Sequence, residues 1–373
     1  MGITVIPGVP DNNSSISKLK VKYASGEFET PNRMVTNSDL NAKSGIGADI
    51  PLTRERKIYL CELPISARDI SDILNTNGFL AEVELRYNSF LTRTDTTGTM
   101  RVIFPKFTDD ALNVLETLPE SQKIEIWRFL FDLVDEISPD AFAIQYWTTN
   151  ANARNYLDSQ ETPYIPVLDI KQSSNLTGYL TNLGEKSSSH TPFIGLTYST
   201  YPRANLSYKI LMERADKIHE GNKGIITFGS PRELGIHEAD RDISALHYSN
   251  FLVADVSAER SYPGGGGKRS SARLFEKKDL AVPIPGDTHN EEEHFDELSL
   301  FARDRNLQEY FLSFVRGTVD MTISRAHYFS RVHENLVSDT EYRDMRAHIA
   351  SHELGEYRKR KLRINKILDL HGL

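Results

Sequence analysis

Short apolar runs recur along the chain at intervals that leave room for a helix between them. In order they are MVTNS (34–38), KIYLCEL (57–63), MRVIFPKF (100–107), FAIQYW (142–147), YIPVLDI (164–170), FIGLTY (193–198), GIITFG (224–229) and FLVADV (251–256). Brief runs rich in Val, Ile and aromatic residues are the mark of parallel strands buried on both faces. Amphipathic segments separate several of them. TDDALNVLETL opens with a Thr/Asp cap signal, and SQKIEIWRFLFDLVDEI gathers Ile124, Trp127, Leu130, Phe131 and Val134 on one face. NLSYKILMERADKIHEG stops at a glycine. Eight strand-then-helix repeats predict an α/β fold, a (β/α)8 TIM barrel, with an open doubly wound sheet as the structural alternative.

Other segments are additions to that barrel. KLKVKYASGEFET (18–30) reads as an N-terminal hairpin turning at ASGE, and AEVELRYNSFLTRTDTTGTMRVIF (81–104) as an inserted hairpin leading into the third strand. PIPGDTHNEEEHFDE (283–297) is acidic and turn-rich, the composition of a surface loop, and a helical pattern runs from Leu298 to EYRKRKLRINKILDL. The expected division is a barrel over 1–282 and, over 283–373, an acidic loop with a C-terminal helical extension.

Composition narrows the setting. No run of eighteen apolar residues exists, and the N-terminus lacks the basic-then-apolar order of a secretory signal. Cys61 is the only cysteine, which excludes an intrachain disulfide and a thiolate zinc site, so a cytoplasmic location is expected. The net charge is −8, so a polyanion would need a local basic patch.

FLVADV delivers Asp255 as the eighth strand ends, and SYPGGGGKRSSAR follows. In barrels, chemistry gathers at the C-terminal strand ends, and phosphate sites follow the seventh and eighth strands. Gly265 and Gly266 expose backbone N–H groups, while Lys268, Arg269 and Arg273 supply cations, a combination suited to phosphate. A surface turn whose aspartate caps the next element is the plainer reading. Two further acids end strands, Glu62 in YLCELP and Asp169 in PVLDIK. Paired carboxylates are the usual equipment for glycosidic cleavage, one stabilising the anomeric carbon and the other moving a proton; each alone also suits a strand-end salt bridge. Gln145, Tyr146 and Trp147 end the fourth strand, and Tyr198 and Tyr201 flank the end of the sixth. An amide and aromatic rings at a barrel mouth suit stacking on a base and reading its edge; core packing is the alternative. Ser199, Thr200 and Arg203 offer hydrogen bonds to a sugar. HIASHELGE places His348 and His352 four residues apart without an HExxH, so no metal site and no cofactor is assigned. Arg358, Lys359, Arg360, Lys361, Arg363 and Lys366 form either a solvated helix face or a nucleic-acid contact.

Several segments together resemble one family, the tRNA-guanine transglycosylases. ASGEFETPNRM is similar to the family's opening hairpin with its G-x-x-x-T-P element, and GIITFGSPREL to its seventh-strand segment. FLVADVSAERSYPGG resembles its eighth-strand segment, where an aspartate is the nucleophile and an arginine-containing, glycine-ended loop follows. RNLQEYFLSFVR is similar to a helix near the family's C-terminus. The resemblance implies that Asp255 is the nucleophile or the carboxylate stabilising C1′, and that Arg260 belongs to the phosphate-binding loop. The family's D-S-G-G-F-Q signature is replaced by IFPKFTDD, its zinc cysteines are missing, and its guanine-recognition segment reads GLTYSTYP. That pattern looks like the DNA-acting branch, which includes an anti-phage glycosylase removing glucosylated hydroxymethylcytosine. The expected function is therefore a DNA glycosylase that flips a modified base from the duplex and leaves an abasic site. Base exchange into DNA or tRNA, and a non-catalytic partner subunit, are the alternatives.

Overall fold

Residues 32–36 close the sheet on themselves. Asn32–Arg33 (β4) and Val35–Thr36 (β5) are separated by Met34 alone, yet they form the two opposite edges of one nine-segment sheet. Its order is β4-β12-β11-β10-β9-β8-β7-β6-β5, with β6 (Ile58–Ile65), β7 (Met100–Phe107), β8 (Ala141–Gln145), β9 (Tyr164–Leu168), β10 (Phe193–Thr197), β11 (Gly224–Ser230) and β12 (Val256–Glu259). Every pairing is parallel. Both edges lead into the same five residues, so the sheet is nearly closed and barrel-like, consistent with a TIM-like barrel. The computed structural model describes residues 2–8, 16–46, 58–75, 96–145, 151–184, 186–231, 245–259, 274–277, 279–280 and 323–373, with isolated positions at 85, 305, 308–309 and 312–313. Among the described residues no helix is long and apolar enough to cross a membrane.

The strand residues alternate between two cores, as a closed parallel sheet requires. Ile58, Leu60, Met100, Val102, Phe104, Ala141, Ala143, Ile165, Val167, Phe193, Ile226, Phe228, Val256 and Ala258 fill the interior. Tyr59, Cys61, Leu63, Ile103, Phe142, Ile144, Leu168, Ile194, Leu196 and Ile225 face the helices. Those helices are α1 (Asn37–Ile46), α2 (Ala67–Asn75), α3 (Asp109–Thr117), α4 (Glu120–Ile137), α5 (Ala151–Asp158), α6 (Ser173–Gly184), α7 (Tyr201–Glu220), α8 (Ala245–Leu252) and α9 (Ile323–Ala350), followed by α10 (Leu354–Lys359) and α11 (Leu362–Leu370). Trp127, Leu130 and Phe131 of α4 are buried against the outer core, on the face their spacing predicts.

At the N-terminal end of the barrel the hairpin is present as β2 (Lys20–Tyr23) and β3 (Gly26–Glu29), antiparallel, with β1 (Thr4–Ile6) added beside β2. Val5, Leu19, Val21, Tyr23 and Phe28 join the interior cluster, so this small sheet stoppers the barrel. The Tyr23 hydroxyl donates to the Gly98 carbonyl at 2.6 Å, and burial, then the Asp140 charge, pushes its pKa up to about 12. The hairpin expected over 81–104 falls on residues outside those described until Thr96.

Gly195 shows how tightly the interior is filled. A Cβ there would lie 3.0 Å from Phe228 Cε2 and from Val167 Cγ2, and 3.1 Å from the Pro166 carbonyl. Gly195→Ala is therefore expected to cost about 1–3 kcal/mol through overpacking, read as a lower urea midpoint with an unchanged m-value.

Two strand boundaries differ from expectation. The first strand runs over 32–36 rather than 34–38, because Asn37 and Ser38 already begin α1. Asp39 caps that helix, accepting from the Thr36 N–H at 2.8 Å and its hydroxyl at 3.0 Å. The eighth strand is not FLVADV: Phe251 and Leu252 end α8, and the strand begins at Val256. The helix wins there because Leu246, Tyr248 and Leu252 are buried on it, and its end is capped. The N–H groups of Val253 and Ala254 donate to the Ser249 carbonyl, and the Asn250 amide donates to the Ala254 carbonyl at 2.6 Å.

Helix α9 packs against α1 and locks onto the first and last strands through a buried ionic cluster. Arg331 donates to Asp39 at 2.9 Å and, through Nη1, to Glu259 at 2.6 Å. Arg33 reaches Asn335 at 2.6 Å, Asp39 at 3.2 Å and Glu334 at 3.4 Å. Two guanidiniums thus face three carboxylates. Burial, reinforced by Asp39 and Glu334, outweighs the two arginines and raises the Glu259 pKa.

Candidate active site at the barrel mouth

The same alternation that fills the interior with apolar side chains ends, strand by strand, in polar ones. Ile58 and Leu60 are followed on their face by Glu62, Val102 and Phe104 by Lys106, Ala143 by Gln145, Val167 by Asp169, and Gly195 by Thr197. Five neighbouring strands therefore each present one polar residue at the C-terminal mouth, where barrels carry their chemistry.

Glu62 is the unusual member. Its side chain is 5% exposed, and among the described residues neither carboxylate oxygen has a hydrogen-bond partner. Lys106 Nζ is 3.6 Å from Oε1, too long for a hydrogen bond. Buried carboxylates in proteins are normally satisfied by two or more donors, and one that is not calls for an explanation. Gln145 is held by a bond from the Phe107 N–H to its Oε1 at 2.9 Å, which leaves the amide nitrogen for another partner. Asp169 is exposed at the end of β9, where its Oδ1 accepts from the Lys171 N–H at 3.0 Å and the Thr197 hydroxyl at 3.2 Å.

A cavity of about 500 Å³ opens at the Gln145, Asp169 and Thr197 side of this mouth, lined also by Tyr198 and, from α3, α4 and α6, by Asp109, Glu116, Glu120 and Tyr179; Glu62 and Lys106 lie on the neighbouring strands and do not line it. Among the described lining residues carboxylates outnumber the one lysine, Lys171, so the cavity favours a neutral or cationic group and disfavours phosphate. Burial, then Tyr208 and Tyr248, raises the Tyr198 pKa well above the ordinary phenol range, and its hydroxyl is buried without a partner. It remains a proton donor at any physiological pH.

Other expected site residues fall elsewhere. Asp255 is not at the mouth: it precedes β12, at the N-terminal end of the barrel, and is 2% exposed. Its carboxylate accepts from the Ile225 N–H at 2.7 Å and contacts His219 Nε2 at 3.0 Å. It ties α7 to the starts of β11 and β12, a structural task. The inward positions of β12 are Val256 and Ala258, while Glu259 faces α9, so this strand brings no carboxylate to the mouth. Tyr201 is buried, stacked on Tyr208 and beside His371, and belongs to the packing. Arg203 is exposed in the first turn of α7. Trp147, Arg260, Gly265, Gly266, Lys268, Arg269 and Arg273 lie outside the described residues. In the C-terminal basic segment Arg358 pairs with Asp369, Lys359 with Glu356, Lys361 with Glu341 and Arg363 with Asp279, so four of its six cations already have carboxylate partners. Lys106 was not among the expected residues; its place two positions beyond Phe104 on an alternating strand was the available signal.

The His219–Asp255 contact has a pH consequence. Burial opposes the imidazolium, but the Asp255 charge, the hydrogen bond to it and Asp216 together outweigh burial and raise the His219 pKa above 6.5. The contribution is therefore fully present below about pH 6.5 and lost as pH rises through the folded pKa. Urea unfolding from about pH 5.5 to 8.5 is expected to show wild type more stable than His219→Gln by about 1.5–3 kcal/mol at the acid end, a gap that narrows toward the alkaline end.

No protein-family model matches the chain, and comparison with curated protein sequences gave no significant match.

Proposed function

We propose that the protein is a (β/α)8-barrel hydrolase that cleaves an N-glycosidic bond, with Glu62 and Asp169 as its working carboxylates. On this reading residues 32–36 are the first of eight strands and the flipped base of a nucleic acid, modified DNA first among candidates, enters the mouth. The observation that carries it is Glu62, a buried carboxylate with two unsatisfied oxygens at the C-terminal end of a barrel strand. Such a group is poised to accept a proton from water or to stabilise positive charge developing at C1′. Asp169, exposed and oriented by Thr197, is placed to pass a proton to the departing base. Water adds at C1′ and gives its proton to Glu62, the C1′–N bond breaks with its electron pair going to the base, and the base leaves with the proton from Asp169. Gln145 and Tyr198 supply an amide and a neutral phenol for the edge of the base. The acidic cavity has no place for phosphate, so a nucleic acid would put only a flipped nucleoside there.

Asp255 takes no part in this chemistry. Base exchange through an aspartyl intermediate loses its support with it, because Asp255 is buried at the far end of the barrel. The test is incubation with duplexes carrying plain, hydroxymethylated or glucosylated cytosine, and with free nucleosides, scored for alkali-labile sites or released base. Asp169→Asn is expected to lower turnover by about 10²–10⁴-fold, while Asp255→Asn, assayed where it is folded, retains it. No release from any substrate would sink the reading in favour of a non-catalytic partner subunit, and release unaffected by substitution at both mouth carboxylates would sink their assignment as the working groups.

A further inference from the structure

At the end of the barrel opposite the mouth, the last turns of α6 and α7 enclose a second pocket, of about 230 Å³. Leu180, Ile194 and Ile218 make its apolar wall, and Arg214, Lys217 and Lys223 surround it. No carboxylate lines it among the described residues. In a chain of net charge −8 this is a local reversal of sign.

Lys223 is the informative residue. It is 3% exposed, and its ammonium donates to the Lys186 carbonyl at 2.6 Å. Three protons are available on that group, and among the described residues it forms no ion pair. Burial lowers its pKa, the expected direction for a cation taken from water without a counter-charge. The helix dipole accounts for Lys217 in the last turn of α7. It does not account for Lys223, which lies beyond the helix and turns to a different carbonyl, next to an open apolar cavity.

We propose that this pocket binds a small organic anion. Its apolar body covers Leu180, Ile194 and Ile218, and its carboxylate or phosphate head meets Arg214, Lys217 and Lys223. The volume lies below the roughly 300–1,000 Å³ of drug-sized ligand pockets, which suits a single ring or a short chain. Arg214 offers the two-pronged donor geometry that oxyanions prefer, and Lys223 gains the counter-charge it lacks.

Titration calorimetry of the full chain with four probes tests the proposal: benzoate, phenyl phosphate, inorganic phosphate and benzyl alcohol. The two aryl anions are expected to bind saturably and raise the Tm, and whichever binds more tightly identifies the head group. Lys223→Met should weaken both by about tenfold or more, the loss of one charge-assisted contact. Gly184→Leu guards against a folding defect. Gly184 ends α6 at the pocket, and a Cβ there would meet no atom within 4 Å. The first carbon of a leucine there enters open space, and the variant should keep the wild-type Tm while losing binding. The proposal is overturned if neither aryl anion binds, if benzyl alcohol or inorganic phosphate binds as tightly as they do, or if Gly184→Leu leaves their affinity unchanged.

Discussion

Arg331→Ala is expected to be the most damaging single substitution in the described structure, lowering the free energy of unfolding by about 3–5 kcal/mol. Arg331 holds Asp39 and both oxygens of Glu259 from one guanidinium, and all three side chains are buried. Truncation leaves those carboxylates in a dry site where, among the described residues, Arg33 is the remaining cation against Asp39, Glu259 and Glu334. Among the described residues the cluster stands one negative in excess, so the two signs are not equivalent. Glu259→Gln removes a charge from the side in excess and keeps most of the shape. It is expected to cost far less, about 1 kcal/mol. Urea denaturation of both variants decides the matter, and equal losses would show that packing, not charge balance, sets the cost.

The second large effect is a split between stability and activity at Glu62. Glu62→Gln should leave stability unchanged or raise it by about 1 kcal/mol, because a buried carboxylate without hydrogen bonds is replaced by a neutral amide. The same substitution should cut base release by about 10²–10⁴-fold. A merely structural carboxylate would behave in the opposite way, losing stability and sparing turnover. Lys106→Met extends the test. It is expected to destabilise wild type by about 1 kcal/mol, modest because Lys106 is partly exposed and its charge is screened. In the Glu62→Gln background it should cost almost nothing. A double-mutant cycle with no coupling would show that the two groups do not sense each other.

Much of the barrel was legible in the chain. Six of the eight apolar runs, from KIYLCEL through GIITFG, coincide with strands to within about two residues at most boundaries. They are buried on both faces, and their composition carries that fact locally. FLVADV failed because an apolar run of six residues is equally compatible with the end of a buried helix. Tyr248, Leu252 and the Asn250 cap decided between them through contacts with distant parts of the chain. With the strand displaced, Asp255 moved from its C-terminal end to its N-terminal end, and the residue carrying the mechanistic expectation became a structural one. Glu62 and Asp169 were legible as acids ending strands, since strand ends are local.

What the sequence by itself determined is the alternation: which residues form parallel strands, that helices intervene, and that acids terminate two of those strands. Period and composition are short-range properties, and the backbone obeys them wherever the segment ends up. The tertiary structure decided which polar ends face the same space. Register across β6–β10 lines Glu62, Lys106, Gln145, Asp169 and Thr197 along one mouth, and Leu180 shares a pocket with Arg214 and Lys223 only because α6 and α7 pack side by side. It also decided that α9, some seventy residues beyond β12, supplies a counter-charge (Glu334) and a neutral acceptor (Asn335) for Arg33. Those are contacts between residues far apart in the chain, and only closing the sheet brings them together.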